Sequence, residues 1–193
     1  MGFIGMTYLH LTGALALTAV SSEYPLSTSP NVIFVESLAI FAIIFLIIPS
    51  KPGPFKYFLF AIFALLFGQI LAPLVDRLQA KGELREVLVS VAGIFLAMTA
   101  VGFLDNQNIL GFGTYLFAAL LGLVLARLFL FIQGGADLTK TKSLLNLFAT
   151  GLFALYVAYD TQLLKERQKN KNYVNSSMGL FLDIINLFAA QSD

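Results

Sequence analysis

Long apolar segments recur along almost the whole chain, and they constrain its fold more than any other feature. Each is long enough for a bilayer-spanning helix, which needs roughly 17–25 residues. Charged residues make up only 12% of the chain and hydrophobic residues 58%, whereas about 25% of a soluble domain is charged. The sequence therefore predicts an α-helical integral membrane protein. The six predicted spans are Phe3–Val20, Val32–Pro49, Phe55–Val75, Val87–Leu104, Thr114–Ile132 and Leu144–Leu164.

A seventh apolar segment, Met178–Ala190, has thirteen residues, which is too few to cross a bilayer alone. One of its faces holds small or polar residues at helical spacing, and such a face is expected to contact protein. We therefore predict an all-α membrane protein with six transmembrane helices around a short central seventh helix, forming one domain over residues 1–193. The residues of that face are Gly179, Asp183, Asn186 and Ala190.

The composition excludes several kinds of site and partner. Cysteine is absent and His10 is the only histidine, so disulfides, thiolate catalysis and cysteine or histidine metal clusters are excluded. A net charge of +1 argues against a nucleic-acid partner. The expected partners are the lipid bilayer and other membrane proteins or a larger complex. The sequence does not distinguish the plasma membrane, the endoplasmic reticulum and the mitochondrial inner membrane.

Two aspartates interrupt apolar runs on either side of a basic linker near the C-terminus. Asp160 precedes the linker Lys165–Lys171 and Asp183 follows it, and the position midway between them lies inside the linker. If the two helices run antiparallel from that turn, a rise of about 1.5 Å per residue places both aspartates roughly 10–15 Å from it. We therefore expect their carboxylates to meet, directly or through one water.

The aspartate pair, Asp160 and Asp183, has a predictable chemistry. Two carboxylates in a low-dielectric site cannot both ionise cheaply, so they tend to share a proton and to titrate as a unit. The pair can act as a proton switch, as a cation site or as an acid–base couple; alternatively, a neighbouring group caps each aspartate. Calcium prefers six to eight oxygen ligands, so calcium at this pair is expected to be transient. We expect no other metal or cofactor.

Two further charged residues, Glu36 and Arg127, occupy similar depths near the membrane face opposite the N-terminus. An arginine inside the membrane needs a partner, and Glu36 is the best partner that the chain offers. Gln69 and Asn146 fall near the same level. The sequence leaves two interpretations open, a lock that neutralises both charges and the polar lining of an ion pathway.

The motifs that contain the aspartates resemble the C-terminal signature of the Bax-inhibitor family, also called transmembrane Bax-inhibitor-motif or lifeguard proteins. Thr7-Tyr8-Leu9 is similar to the first helix of that family, and Leu104-Asp105 before Gly111 resembles its fourth loop. The resemblance therefore covers nearly the whole chain. The two signature motifs read Ala158-Tyr159-Asp160-Thr161-Gln162 and Phe181-Leu182-Asp183-Ile184-Ile185-Asn186-Leu187-Phe188.

The resemblance implies seven helices with a short last helix at the centre, a pH-dependent calcium leak and, in eukaryotes, suppression of cell death. It maps the paired aspartates of the family onto Asp160 and Asp183, and its acidic residue in the second helix onto Glu36. The arginine with which the family can latch its aspartates has no counterpart in Val32–Pro49. Lys51 and Lys56 are the candidate substitutes.

The resemblance also predicts a last helix shorter than in relatives, because the chain stops five residues after Phe188. The function expected first is a pH-sensitive, channel-like calcium or cation leak gated by the aspartate pair, with no enzymatic activity. A structural or accessory subunit of a larger membrane complex is the alternative. An intramembrane aspartyl protease is a minor one: Tyr159-Asp160 resembles a motif of that class, but Leu180-Phe181-Leu182-Asp183 departs from its Gly-x-Gly-Asp motif.

Overall fold

The computed structural model describes residues 2–104, 109–133, 139–170 and 172–192. Within these ranges, seven helices are long and apolar enough to cross a membrane, so the predicted fold class is confirmed. Two short 3₁₀ helices, Ile109–Phe112 and Arg167–Asn170, accompany them. Asp105, of the predicted fourth loop, and Lys171, of the basic linker, lie outside the described residues. The seven helices are α1 Phe3–Glu23, α2 Pro30–Ile47, α3 Pro54–Lys81, α4 Leu84–Leu104, α5 Gly113–Gln133, α6 Thr139–Glu166 and α7 Tyr173–Gln191.

The last helix is buried, as predicted, but it is not short. α7 has 19 residues, because the polar stretch before Met178 is also helical. The hydroxyl of Ser177 in this stretch has two carbonyl oxygens to which it can donate its hydrogen, those of Thr7 (2.8 Å) and Tyr173 (2.7 Å), so it can be buried at little cost. In α7, 61% of the most apolar stretch is buried, against 39% at most in the other helices. None of its residues is exposed.

The connection between the third and fourth helices is much tighter than predicted. The predicted third and fourth spans leave residues 76–86 between them, whereas in the structure α3 continues through Pro73 to Lys81 and α4 begins at Leu84. Leu78 is buried, which gives the added turns of α3 an apolar anchor. Gly82 ends the helix with a left-handed φ of 75°, a conformation that glycine adopts at no steric cost.

The chain divides into two compact units. The first comprises Met1–Leu84 with Leu164–Phe181, and the second comprises Arg85–Leu163 with Leu182–Asp193. α7 therefore contributes its N-terminal half to the first unit and its C-terminal half to the second. The single domain expected from the sequence stays a prediction.

In the first unit, α3 packs against both α1 and α2. Its closest approach to α1 is at Gly68, where an added Cβ would lie 2.6 Å from the Cβ of Ser21 and would also overlap the Thr18 carbonyl oxygen. The hydroxyls of Thr18 and Ser21 donate to the Ala64 and Leu65 carbonyl oxygens at 2.9 and 2.8 Å. Small residues and interhelical hydrogen bonds hold helices together in lipid, and α1 and α3 use both.

Aromatic side chains fill the rest of the first unit. Phe181 of α7 packs against Phe60, Phe63 and Phe67 of α3, with ring centroids 5.5–6.4 Å apart.

His10 is a packed histidine: its Nδ1 lies 2.8 Å from the Met6 carbonyl oxygen. Its ring packs beside two tyrosines whose hydroxyls hydrogen-bond to each other. These are Tyr57 at 5.3 Å and Tyr173 at 4.9 Å.

Gln69 fastens the chain that leaves α1. Its amide nitrogen donates to the carbonyl oxygen and the hydroxyl of Ser21 at 2.9 and 2.6 Å, and its Oε1 accepts the backbone N–H of Leu26 at 2.6 Å. One buried side chain thus satisfies a backbone carbonyl in the last turn of α1 and a backbone N–H after the end of this helix. The hydrogen bonds of Gln69 within this unit are therefore structural.

Replacing Gln69 with leucine is expected to destabilise the protein by about 1–3 kcal/mol, because buried polar groups would lose their partners. The measurement is the thermal unfolding midpoint of the purified protein in detergent. Gln79→Leu is the matched control, since Gln79 makes an exposed hydrogen bond to Glu23 at 3.2 Å. Equal melting temperatures for the two variants would contradict this assignment.

Candidate functional site

The second unit brings the two predicted aspartates together. Asp160 lies in α6 and Asp183 in the C-terminal half of α7, and the two are near enough for their charges to interact. Asp183 is 5% exposed, and within the described residues its Oδ2 has no hydrogen-bond partner. Asp160 is half-buried. A direct hydrogen bond between the carboxyls stays a prediction.

Tyr156 completes the surroundings of the aspartate pair. It precedes Asp160 by one helical turn, so the two share a face of α6, and its hydroxyl lies in the field of both carboxyls. Its ring is 6.2 Å from that of Phe153 and 6.3 Å from that of Tyr159. The site thus consists of a buried and a half-buried carboxyl with the phenol of Tyr156 in their field.

The two residues after Asp160 fix the position of its helix, a role that sequence reasoning missed. Thr161 is fully buried, and a Cβ added to Gly102 of α4 would lie 2.7 Å from its Cβ and 2.6 Å from the Ala158 carbonyl oxygen. Gln162 accepts the backbone N–H of Leu110 at 3.2 Å. The Asp-Thr-Gln motif therefore combines one acidic group with two residues that fasten α6 to its neighbours. The motif itself indicated that Thr161 and Gln162 are important, but it did not indicate which residues of other helices they contact.

Tyr159 provides a third fastening point. A Cβ on Gly113, the first residue of α5, would lie 2.6 Å from the Tyr159 hydroxyl oxygen. The start of α5 is thus in direct contact with the residue before Asp160. Asn186, predicted to support the pair, donates from Nδ2 to the Leu182 carbonyl oxygen of its own helix at 2.8 Å.

Glu36 and Arg127 belong to separate units, so their pairing stays a prediction. Glu36 in the first unit is buried, and within the described residues its Oε2 has no hydrogen-bond partner. Arg127 in the second unit donates to the Oδ1 of Asn146 at 3.1 Å. Asn146 was predicted to lie near the level of Arg127, and the two are in contact.

The candidate latch residues differ sharply in environment. Lys51 is exposed in the connection between α2 and α3, whereas Lys56, in the first turn of α3, is fully buried. The Nζ of Lys56 donates to the Ser50 carbonyl oxygen at 2.8 Å. Burying an ammonium group is costly, and cations are unfavourable at a helix N-terminus. Of the two lysines, Lys56 therefore has the environment that is energetically less favourable. Both lysines belong to the first unit, and the latch stays a prediction.

The described residues contain no group of three or more His, Cys, Asp and Glu side chains placed to hold a metal ion. The acidic groups at the site are Asp160 and Asp183, and the Tyr156 hydroxyl lies in the field of both. Calcium takes six to eight oxygens. A calcium ion at this site would therefore need water to complete its coordination sphere.

Comparison with known proteins agrees with the motifs. A family model described as "Inhibitor of apoptosis-promoting Bax1" matches residues 1–190. Bax inhibitor 1 of Schizosaccharomyces pombe is 25% identical over 97% of this chain and 73% of its own. Inner membrane protein YbhL of Escherichia coli K12 is 26% identical over 96% of this chain and 87% of its own. A Golgi anti-apoptotic protein of vaccinia virus is 30% identical over 83% of this chain and 66% of its own.

Among the relatives, the matched part covers between 58% and 87% of their own lengths. The family match itself extends over both signature motifs and all seven helices. The resemblance stated from the motifs is therefore confirmed. This chain, an integral membrane protein, belongs to the Bax-inhibitor family.

Proposed function

We propose that this protein is a pH-sensitive leak pathway for calcium or other cations, gated by the aspartate pair. The observation that supports the proposal is the carboxyl of Asp183, which is buried in the field of a second carboxyl and has one oxygen without a hydrogen-bond partner among the described residues. A buried ionisable group in a membrane protein is expensive and usually functional. A purely structural carboxyl would have its oxygens hydrogen-bonded.

The gate operates through charge repulsion. When both aspartates are ionised, two like charges face each other in a low-dielectric site, and their repulsion favours an arrangement of α6 and α7 that separates them. When the pair holds a proton, the repulsion is removed and the closer arrangement is favoured. A proton can shift such an equilibrium only by its different affinity for the two arrangements. The step needs no covalent chemistry.

Calcium is the proposed cargo. Two carboxylates and a phenol supply fewer oxygens than the six to eight that calcium prefers, so the ion passes the pair partly hydrated and is bound weakly. Weak binding suits conduction, because an ion must leave a site as readily as it enters. The names of the yeast and viral relatives, Bax inhibitor 1 and Golgi anti-apoptotic protein, also support a role in the suppression of cell death.

The purified protein alone, reconstituted in liposomes, is expected to release trapped calcium at a rate that changes with the pH of the medium. The measurement is the fluorescence of a calcium indicator across a series of pH values, with protein-free liposomes as the control. No flux above that control at any pH would contradict the proposal. It would favour the alternative of an accessory subunit that works only within a larger complex.

A further inference from the structure

Arg127 is an exposed cation on a helix that spans the membrane. It lies six residues before the end of α5 at Gln133, which is about 9 Å along the helix axis. The apolar side chains around it, Leu128 and Phe131 among them, are also exposed. A guanidinium group at this depth on a lipid-facing surface must find polar partners or reach the headgroups.

Among the described residues of the second unit, only part of the hydrogen-bonding capacity of Arg127 is satisfied. The guanidinium has five N–H donors, and the Oδ1 of Asn146 accepts one of them. Within the second unit, the described residues place no carboxylate in an ion pair with Arg127. Most of its donors, and its charge, therefore face outward.

Lys142 adds a second positive charge to the same surface. It precedes Asn146 by one turn of α6, so both lie on one face of that helix, and it is exposed. Lys140 is exposed in the first turn of α6, which contains no acidic residue. The nearest acid in the sequence, Asp137, lies outside the described residues. We name Arg127, Asn146 and Lys142 the basic stripe.

An apolar cavity of about 910 Å³ begins next to the basic stripe. On α6 its lining runs from Leu147, the residue after Asn146, to Ala158. These positions are about 16 Å apart along the helix, close to half of a hydrocarbon core about 30 Å thick. Gly151 lies in the middle of the lining, and a Cβ added there would meet nothing within 4 Å.

We propose that the basic stripe binds the phosphodiester headgroup of an anionic phospholipid, and that one acyl chain of this lipid lies in the cavity. Phosphate oxygens accept hydrogen bonds from the outward N–H groups of Arg127 and from the ammonium group of Lys142. Basic clusters at the membrane surface attract anionic lipids in this way. The polar end and the apolar end of one ligand thus match two adjoining surfaces of the second unit.

The test is native mass spectrometry of the detergent-solubilised protein with phosphatidylglycerol or with phosphatidylcholine of the same acyl chains. The wild type is expected to bind phosphatidylglycerol more tightly. Arg127→Gln and Lys142→Gln are each expected to lower that affinity about fivefold, as expected for one basic side chain, and to lower the affinity for phosphatidylcholine less, because its headgroup carries no net charge. Arg85→Gln is the matched control, because it removes an exposed cation of the same unit that is not in the stripe.

Gly151→Leu tests the acyl-chain site separately. Its side chain would project into the cavity and occupy part of the acyl-chain site while the basic stripe stays intact, so affinity for phosphatidylglycerol is expected to fall. Lys142→Gln decides the headgroup site if Arg127→Gln does not fold, since Lys142 is exposed. Equal wild-type affinity for the two lipids, or an equal loss in Arg85→Gln, would overturn the proposal. Displacement of the lipid by millimolar glycerol phosphate would identify a site for soluble anions and would also overturn it.

Discussion

The variant Asp183→Asn is expected to abolish most of the pH dependence of calcium flux in liposomes. Asparagine keeps the shape of the side chain but removes one of the two charges, so the repulsion that protonation controls no longer exists. Asp160→Asn is expected to have the same effect for the same reason. The double variant should resemble the single ones instead of adding to them, since residues that act as a pair are not additive.

Asp76→Asn is the matched control for this series, because it removes an exposed carboxylate from a different helix, α3. It is expected to keep the pH profile of the wild type. The measurement is calcium release across the pH series, with each variant first shown to fold by its thermal unfolding in detergent. If both single variants of the aspartate pair kept the wild-type profile, the gating proposal would have to be abandoned.

The variant Gly68→Ala is expected to destabilise the first unit by about 1–3 kcal/mol, the usual cost of overpacking. Its added methyl group would meet the Cβ of Ser21 at 2.6 Å and would overlap the Thr18 carbonyl oxygen. A backbone atom cannot rotate out of the way as a side chain can, so α1 must move away from α3. The hydrogen bonds of Thr18 and Ser21 to α3 would then lengthen.

Gly93→Ala makes the same chemical change inside α4, where the added Cβ would meet nothing within 4 Å. Alanine is the better helix former, so this control is expected to melt at or slightly above the wild-type temperature. Thermal unfolding of the three purified proteins in detergent provides the comparison. Equal melting of Gly68→Ala and Gly93→Ala would show that α1 and α3 have more room than the structure indicates.

The sequence was sufficient to predict the helices, because their formation follows from the requirements of the lipid environment. In a bilayer a long apolar run has to be helical to satisfy its own backbone, so the seven helices could be predicted from hydropathy. The approach of Asp160 to Asp183 could be predicted because both are at the same distance from one turn, and helical rise converts that distance into depth. The Glu36 and Arg127 pairing used similar depths, but depth does not determine which helices are neighbours.

The features that the sequence did not predict depend on contacts between distant residues. The polar start of α7 is helical and buried because Ser177 has the Thr7 carbonyl oxygen as a partner, and no local pattern predicts that partner. Likewise, Gln69 was assigned to the level of two charged residues, whereas its hydrogen bonds hold Ser21 and Leu26. Polar residues were assigned to connectors or sites because their structural partners were unknown.

The contact of Gly102 with Ala158 and Thr161 has a mechanical consequence. The backbone of α4 at Gly102 lies directly against the Ala158 carbonyl oxygen and the Thr161 side chain of α6, on either side of Asp160 in the sequence. No side chain of Gly102 separates the two helices there. Closely packed cores shift between discrete arrangements and do not deform smoothly. If the proposed gate moves Asp160, α4 must therefore move together with α6. Otherwise it is Asp183 of α7 that moves. Cross-linking α4 to α6 at this level would leave the proposed gating intact in both cases, and would abolish it only if α6 moved relative to α4.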